Sequence, residues 1–438
     1  MTALFEYDLG NGVQALDADM PVLRAYVDRY AGRQPLRGAT ALLIQHQLGN
    51  QGPQIDAMMA LGLEPEKTLW VDIPYTSHAS FRSEVARRHG IPDGNFDVHS
   101  YRVLDPYASY QFSRTQRVLG RLLENPPERL LVLDDGAYFL EAAMGFRRQL
   151  RNVTIVEQTS RGMMKIEDSP ALTRYAARFP VVNVARSRPK LRLESPWIGT
   201  AVLLALRHRL KQVEAKWREF AITPDAPCLV LGYGAVGEQV ARHLRHVAQV
   251  YVFDVDARRR RRAVRNGHRL WDRRGQALIP DEQLIRFKLV VGCTGRASFS
   301  VGDHVFLDRH AVLASASSGS VELSRGDFID LAAASEIDDI HIDQDGLADG
   351  GLHHDLRMQL VDRDVVFLNA GFPINFDGRV NCVPSRYMQA TATLMVHGAV
   401  QALGAQPGIQ DVDHGFSQWL TGAFKAQLTP AERELLGA

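Results

Sequence analysis

The sequence predicts an α/β protein with two doubly wound parallel sheets. From residue 39 to about residue 184, short apolar runs alternate with helical patterns, which is typical of a parallel sheet covered by helices on both faces. A second series of apolar runs begins near residue 228 and opens with a glycine-rich turn. A helical pattern over residues 386–404 follows this series, and we expect it to return to the first sheet.

These patterns predict three parts of the chain. The first is a substrate-binding and catalytic domain, the second a dinucleotide-binding domain, and the third a helical segment that packs on the first; their predicted bounds are 1–195, 196–375 and 376–438. The first domain has four predicted strands, at residues 39–47, 67–75, 129–136 and 152–159. Helical patterns separate these strands, at residues 54–62, 79–90 and 111–125, and a longer one covers residues 196–220.

The glycine-rich turn carries the strongest functional signal. An apolar run leads into Gly232, Gly234 and Gly237, a helical pattern follows, and a second apolar run ends at Asp254. In this context the first glycine allows a tight turn, the second a close approach of a pyrophosphate, and the third close packing of helix on strand. Asp254 is placed to accept hydrogen bonds from the adenosine ribose. The sequence therefore predicts a Rossmann domain that binds NAD, with further contacts from the helix N-terminus at Ala235 and Val236.

Five arginines, Arg258 to Arg262, follow Asp254 directly. One interpretation is recognition of the 2′-phosphate of NADP, and a second is a nucleic-acid patch. Asp254 opposes the first because a carboxylate repels a phosphate. Five consecutive residues circle a helix instead of sharing one face, so a solvated helix is the interpretation that we favour.

Composition and charge exclude several classes of function. The chain has 51 Lys and Arg against 50 Asp and Glu, which gives no general reason to expect nucleic acid or an anionic membrane as a partner. Its three cysteines have no metal-ligand spacing and favour a reducing compartment. We find no signal peptide and no apolar run near the ~20 residues that span a bilayer. We therefore expect a cytoplasmic protein without a metal site.

Several motifs occur in the order found in S-adenosylhomocysteine hydrolase, and the chain resembles that family from about residue 39 onward. The similar segments are LDDG (133–136), VEQTSRG (156–162), FPVVNVARSRPK (179–190), GYGAVG (232–237), FDVDA (253–257), CTGRASF (293–299) and PINF (373–376). The resemblance implies a bound NAD that oxidises the 3′-hydroxyl of a ribose. The ketone acidifies the C4′ proton, the 5′ substituent is eliminated, water adds, and the ketone is reduced again.

The resemblance also implies catalytic residues. His46 matches the family's active-site histidine, Asp135 its base for the C4′ proton, and Lys190 the lysine that acts on the 3′-hydroxyl; Glu194 stands where the family has an aspartate. Each position has a plainer alternative. His46 is otherwise a loop histidine, Asp135 a helix cap, and Lys190 a surface lysine in a basic loop.

Other positions match the cofactor side of the family. Thr159, Ser160 and Thr294 keep hydroxyl groups where the family contacts the nicotinamide, and Gly295 belongs to the same motif. Asn375 keeps an amide that would recognise the carboxamide. The resemblance therefore implies that the NAD-binding residues are retained.

The substrate side departs from the family. Gln158 replaces a carboxylate that holds the ribose, Asn50 replaces an adenine-contacting residue, and Ser318 replaces a histidine. Such changes alter the substrate that a polar site accepts. We expect a nucleoside or thioether nucleoside as substrate. A pseudoenzyme that senses NAD and a genuine S-adenosylhomocysteine hydrolase are the alternatives. Homo-oligomer formation is expected from the resemblance alone.

Overall fold

The computed structural model describes residues 4–146, 149–276, 278–334, 340–342, 351–360 and 362–436. The chain divides into two compact units. The first unit comprises Asp8–Ser100, Ala108–Ser195 and Arg379–Ala438, and the second comprises Met1–Tyr7, Tyr101–Tyr107 and Pro196–Gly378. Two short segments that the sequence analysis placed in the first domain therefore fall in the second unit, namely residues 1–7 and 101–107.

The four strands predicted in the first domain are present, whereas the strands Phe96–Asp97, Pro180–Asn183 and Gly408–Asp411 of the same sheet were not predicted. The strands are β1 (Thr40–Gln45), β2 (Thr68–Asp72), β3 (Phe96–Asp97), β4 (Leu130–Asp134), β5 (Val153–Glu157), β6 (Pro180–Asn183), β7 (Pro227–Leu231), β8 (Gln249–Phe253), β9 (Arg269–Leu270), β10 (Phe287–Gly292), β11 (Leu307–Ser315), β12 (Ile340–Ile342), β13 (Leu356–Gln359), β14 (Asp364–Phe367) and β15 (Gly408–Asp411). The helices are α1 (Leu16–Asp19), α2 (Pro21–Tyr30), α3 (Gly52–Ala60), α4 (Ala79–His89), α5 (Tyr107–Leu122), α6 (Tyr138–Ala143), α7 (Ser160–Asp168), α8 (Pro170–Ala176), α9 (Arg188–Leu193), α10 (Ser195–Lys216), α11 (Ala235–Leu244), α12 (Ala257–Arg265), α13 (Arg273–Gln276), α14 (Arg325–Ala334), α15 (Ser385–Gly404), α16 (His414–Ala426) and α17 (Pro430–Leu435).

The first unit contains a sheet of seven strands in the order β15-β6-β5-β4-β1-β2-β3, and every neighbouring pair is parallel. The chain moves outward from β1 in one direction and then from β4 in the other. The strand order thus reverses between β1 and β4, and ligands of open α/β sheets bind beyond the carboxyl ends of the strands at such a point.

The second unit contains a sheet of eight strands in the order β12-β13-β14-β11-β10-β7-β8-β9. From β14 to β9 all pairs are parallel, in the order of a Rossmann fold, whereas β12 and β13 are antiparallel additions at one edge. The reversal of strand order falls between β7 and β10, directly beside the glycine-rich turn. The predicted fold class, two doubly wound sheets with a Rossmann-type second unit, is confirmed.

The predicted return of the C-terminal helix is also confirmed, because α15 packs inside the first unit. A side chain at Gly398 would place its Cβ 2.9 Å from Val156 and 3.2 Å from Val184, so the glycine lets the helix lie close against the sheet. The side chain of Gln389 accepts a hydrogen bond from the backbone N–H of Val22 at 2.9 Å. Burial of this helix joins residues from both ends of the chain in one hydrophobic core.

A membrane-spanning helix would need a long apolar stretch, and no helix among the described residues has one.

Candidate functional site

The carboxyl edge of the first sheet collects polar side chains at the point where the strand order reverses. In the aligned register, Ile44 lies opposite Asp134, and Asp134 lies opposite Glu157. Because parallel strands end at the same edge, the residues that follow them are neighbours. This acid–base cluster comprises His46, Asp134, Asp135, Glu157 and Gln158, all of which are buried.

His46 and Asp135 form a pair in this cluster. The imidazole Nε2 lies 3.2 Å from a carboxylate oxygen of Asp135, and Nδ1 lies 2.6 Å from the hydroxyl of Thr76. The two side chains are 6% and 2% exposed. A histidine held between a carboxylate and a hydroxyl has a fixed ring orientation, which suits a proton-transfer group. The structure thus brings together two of the residues that the sequence analysis selected as catalytic.

The two neighbouring aspartates have different roles. The carboxylate of Asp134 accepts hydrogen bonds from the backbone N–H groups of Tyr138 at 3.1 Å and Phe139 at 2.8 Å, at the beginning of α6. It therefore has the helix-capping role, whereas Asp135 faces His46. The backbone turns sharply just after Asp134 and Asp135, with positive φ of 121° at Gly136 and 54° at Ala137. This turn lets the two adjacent carboxylates face different partners.

Glu157 is a buried residue of this site that the sequence analysis did not select. Its carboxylate accepts the N–H groups of Gly136 (3.2 Å), Ala137 (2.9 Å) and Thr159 (2.8 Å) and the hydroxyl of Thr159 (2.8 Å). Burial and the adjacent carboxylate of Asp134 raise its pKa, and burial raises the pKa of Asp134 to about 7. The sequence signal that could have identified Glu157 was its position at the end of an apolar run, like that of the DDG motif at residues 134–136.

Lys190 and Glu194 form a second pair in the first unit. The ammonium of Lys190 lies 2.7 Å from a carboxylate oxygen of Glu194, one turn later in the chain, and the hydroxyl of Thr391 donates to the same oxygen at 2.6 Å. Both charged side chains are largely buried, 14% and 12% exposed. The alternative of a solvated surface lysine therefore does not describe Lys190. Thr391 lies on α15, so the returning helix helps to fix this pair.

The predicted substrate residues contact other amides and backbone. The side-chain oxygen of Gln158 accepts a hydrogen bond from Gln45 at 2.7 Å, and Gln45 in turn accepts one from Gln54 at 2.9 Å. The amide of Asn50 donates to the carbonyl of Val383 at 3.4 Å. Gln158 thus extends the acid–base cluster as a chain of three glutamines, where the family resemblance implies a carboxylate.

In the second unit the glycine-rich turn joins β7 to α11. Gly232 has φ of 89°, and a Cβ at Gly237 would lie 2.0 Å from the carbonyl oxygen of Gly232, so both positions require glycine. A Cβ at Gly234 would meet only an arginine nitrogen at 3.9 Å, which leaves open space over the turn. The N-terminus of α11, at Ala235 and Val236, begins at this open side. The turn can therefore bring its backbone against a phosphate.

Asp254 lies buried at the end of β8, 4% exposed. Its carboxylate accepts the N–H of Tyr233 at 2.7 Å and that of Asp256 at 2.8 Å, which fixes it beside the glycine-rich turn. The arginine run lies on α12, and Arg259 reaches to 3.6 Å from Asp254 while Arg262 pairs with Glu238 at 3.1 Å. The run is thus a helix, as predicted, with some of its guanidinium groups engaged.

Glu322 is a second buried carboxyl group that sequence reasoning missed. One of its oxygens accepts the hydroxyl of Thr294 at 2.5 Å and the N–H of Gly295 at 3.0 Å, next to the carboxyl end of β10. Burial raises its pKa to about 7. Glu322 therefore fixes the loop that carries Thr294 and Gly295, two of the predicted cofactor residues.

The remaining predicted cofactor residues lie in both units. Asn375 is buried in the second unit, shortly after a turn with left-handed φ at Asn369 (50°) and Ala370 (48°). Thr159 lies in the first unit and caps α7, which begins at Ser160, by accepting the N–H of Gly162 at 3.0 Å. Ser318 is likewise in the second unit. Among the described residues, no group of three or more His, Cys, Asp or Glu could hold a metal ion.

We expect Glu322→Gln to flatten the pH dependence of the stability of the second unit. Because the folded state raises the pKa of this carboxyl, it binds the proton more tightly than the unfolded chain does between about pH 4.5 and 7, and the wild type loses stability as pH rises through that window. The free energy of unfolding, measured with denaturant at several pH values, should differ between variant and wild type by an amount that changes by about 2–3 kcal/mol across this pH window. Glu282→Gln, at an exposed position, is the matched control. Parallel curves for all three proteins would contradict the prediction.

The fold and the glycine-rich turn together define an α/β protein with a Rossmann-type unit. No protein-family model matches the chain. Two uncharacterised proteins of Mycobacterium tuberculosis, from strains CDC 1551 and H37Rv, are each 26% identical to it over 396 residues, which covers 88% of this chain and 68% of each relative. These matches do not assign a family, so the resemblance to S-adenosylhomocysteine hydrolase stays a prediction.

The solved structures that match the chain are similar to it only at low identity and low TM-score. A dipicolinate synthase chain from Bacillus halodurans is 12% identical with a TM-score of 0.36, and the match covers 72% of this chain and 95% of that one. Phosphoglycerate oxidoreductase from Vibrio cholerae is 14% identical with a TM-score of 0.35, covering 68% and 80%. Neither similarity carries a conclusion about function.

Proposed function

We propose that the protein is an NAD-dependent enzyme that transiently oxidises a ribose-type 3′-hydroxyl and thereby enables elimination or hydrolysis at the 5′ position of a nucleoside or thioether nucleoside. The observation that carries the proposal is the buried pair of His46 and Asp135, which lies where the strand order reverses in the first sheet. Ligands of doubly wound sheets bind at such points. In this proposal the first unit binds the substrate and the second unit binds NAD.

The residues of the second unit fit a dinucleotide. The open space over Gly234 and the N–H groups at the beginning of α11 suit a pyrophosphate. The fixed carboxylate of Asp254 suits the hydroxyl groups of an adenosine ribose, and this favours NAD over its 2′-phosphorylated form. A bound nicotinamide supplies hydride transfer, a chemistry that no amino-acid side chain provides.

The residues of the first unit supply proton transfers. Lys190 is proposed to take the proton from the 3′-hydroxyl as a neutral amine, after its ammonium has passed a proton to the carboxylate of Glu194, which lies 2.7 Å away. Asp135 is proposed to take the proton from C4′, and His46 to exchange a proton with the 5′ substituent or with the water that replaces it. The burial of both pairs excludes bulk water from these exchanges.

Gln158 favours a second candidate, an NAD-binding sensor without hydrolase activity. Its amide oxygen is engaged by Gln45, and an amide lacks the charge that would hold ribose hydroxyl groups as strongly as a carboxylate does. The same substitution argues against S-adenosylhomocysteine itself as the substrate, because a polar site rejects ligands that leave its groups unpaired.

Absorbance at about 340 nm tests the proposal, because reduction of bound NAD appears there. We expect one member of a panel of nucleosides, adenosine and S-adenosylhomocysteine among them, to produce this band in the wild type. Lys190→Ala and Asp135→Asn should abolish turnover, while the controls Lys67→Ala, whose side chain is 44% exposed, and Asp93→Asn, at an exposed position, should not. Full activity of Lys190→Ala would contradict the proposed catalytic role of Lys190. Bound NAD that no nucleoside reduces would favour the second candidate, an NAD-binding sensor.

A further inference from the structure

A basic groove lies on the first unit, and its lining residues differ from those of the acid–base cluster. It has a volume of about 590 Å³ and lies between α9 and α16, near Leu436. Its lining residues are rich in cations and neutral hydrogen-bonding groups and include no carboxylate: Arg188, Arg192, His414, Ser417, Gln418, Thr421 and Lys425, with Pro189, Leu193 and Leu436 as the apolar part. The groove therefore has a consistent positive character.

Three of its cations lack an acidic partner. Arg188, Arg192 and Lys425 form no ion pair with any residue in the described part of the chain, and their side chains converge on one groove. Arg186 shows the contrast, because it lies just before α9 and pairs with Glu167 at 2.7 Å. Unpaired like charges repel one another, so a cluster of this kind gains stability when an anion binds.

The spacing of the lining residues places them on one face of α9 and one face of α16. Arg188 and Arg192 are one turn apart on α9, and the lining residues of α16, from His414 to Lys425, recur every three or four positions. Lys190 lies on another face of α9 and pairs with Glu194, the residue that directly follows this helix, and Thr391 of α15 donates a hydrogen bond to Glu194. The helix thus contributes to the groove on one face and to a proposed catalytic pair on another.

We propose that this groove binds a small molecule through a phosphate group. The guanidinium groups of Arg188 and Arg192 can each donate two parallel hydrogen bonds to phosphate oxygens. The ammonium of Lys425 and the hydroxyl groups of Ser417 and Thr421 can donate to the remaining oxygens. Carboxylates would repel such a ligand, and none of the described residues that line the groove carries one. The lining residues of the groove belong to the first unit, whereas the glycine-rich turn belongs to the second unit.

Calorimetric titration with inorganic pyrophosphate tests the site on the full chain at constant ionic strength. We expect Arg192→Ala combined with Lys425→Ala to weaken binding at least about tenfold. Arg174→Ala, which removes an exposed cation elsewhere in the first unit, should leave it unchanged. A second arm with ADP asks whether a nucleoside adds affinity: tighter binding that the double variant loses identifies a nucleotide, and equal binding identifies the phosphate alone.

Hydrogen exchange provides an independent readout of the same site. Pyrophosphate should slow exchange in peptides that cover α9 and α16 in the wild type and should not do so in the double variant. Equal affinity of wild type and double variant, or an equal loss in Arg174→Ala, would overturn the proposal, because binding would then be general attraction to positive charge. Unchanged circular dichroism of the double variant would exclude misfolding as the cause of lost binding.

Discussion

Replacing Gly234 by alanine should weaken binding of NAD by more than about tenfold while leaving the second unit as stable as the wild type. The reason is that a Cβ at this position meets no protein atom closer than 3.9 Å, whereas it would occupy the space in which a pyrophosphate approaches the backbone. Titration of NAD followed by calorimetry measures the first effect, and the thermal midpoint measures the second.

Gly237→Ala is the matched variant, because it adds the same methyl group three residues later. Here the Cβ would lie 2.0 Å from the carbonyl oxygen of Gly232 and 3.2 Å from Cys293, so we expect a loss of stability of about 1–3 kcal/mol from overpacking. The pair separates the two functions of the turn. Equal NAD affinity in the wild type and Gly234→Ala would show that the turn does not face the cofactor.

Glu157→Ala should destabilise the first unit by about 3–5 kcal/mol, since it leaves buried donors without an acceptor. The carboxylate accepts the N–H groups of Gly136, Ala137 and Thr159, and these donors lie in a buried site where Glu157 is 1% exposed. Urea unfolding followed by circular dichroism measures the loss. A pH of about 6 suits the experiment, because the raised pKa values of Asp134 and Glu157 make the wild type less stable as pH rises toward neutrality.

Glu157→Gln is the control for shape. It keeps one oxygen for the donors and resembles the protonated carboxyl, so the loss should be at most about half of that in the alanine variant. The same substitution should also displace Asp135 less, because the turn through Gly136 and Ala137 keeps most of its hydrogen bonds. An alanine variant as stable as the wild type would mean that these donors find other partners.

The apolar runs predicted most of the fold because strand and helix periodicity are local properties. The runs around Leu43, Val132 and Ile155 lie in β1, β4 and β5, and the helical pattern at 386–404 is α15. The order of the strands was not contained in any one run. The segments Met1–Tyr7 and Tyr101–Tyr107 belong to the second unit, and no local pattern near them indicated this.

The candidate site was partly predictable for the same reason. The family resemblance selected His46, Asp135 and Lys190, and the structure places the imidazole of His46 3.2 Å from the carboxylate of Asp135. Spacing did not reveal that Asp134 caps a helix while Asp135 faces the imidazole, since adjacent residues differ only in where the backbone turns. Glu322 was missed because its partners, Thr294 and Gly295, are distant in sequence.

By itself, the sequence determined the two α/β sheets, the glycine-rich turn and the set of polar residues that follow the strands, because each depends on neighbours within a few positions. Only the tertiary structure decided which of these residues meet. The pairing of Glu194 with Thr391, the burial of Glu157 beside Asp134, and the convergence of Arg192 and Lys425 all depend on strand order and helix packing. Burial then raises the pKa of Asp134 and Glu322, because desolvation depends on the folded chain and not on the residue type.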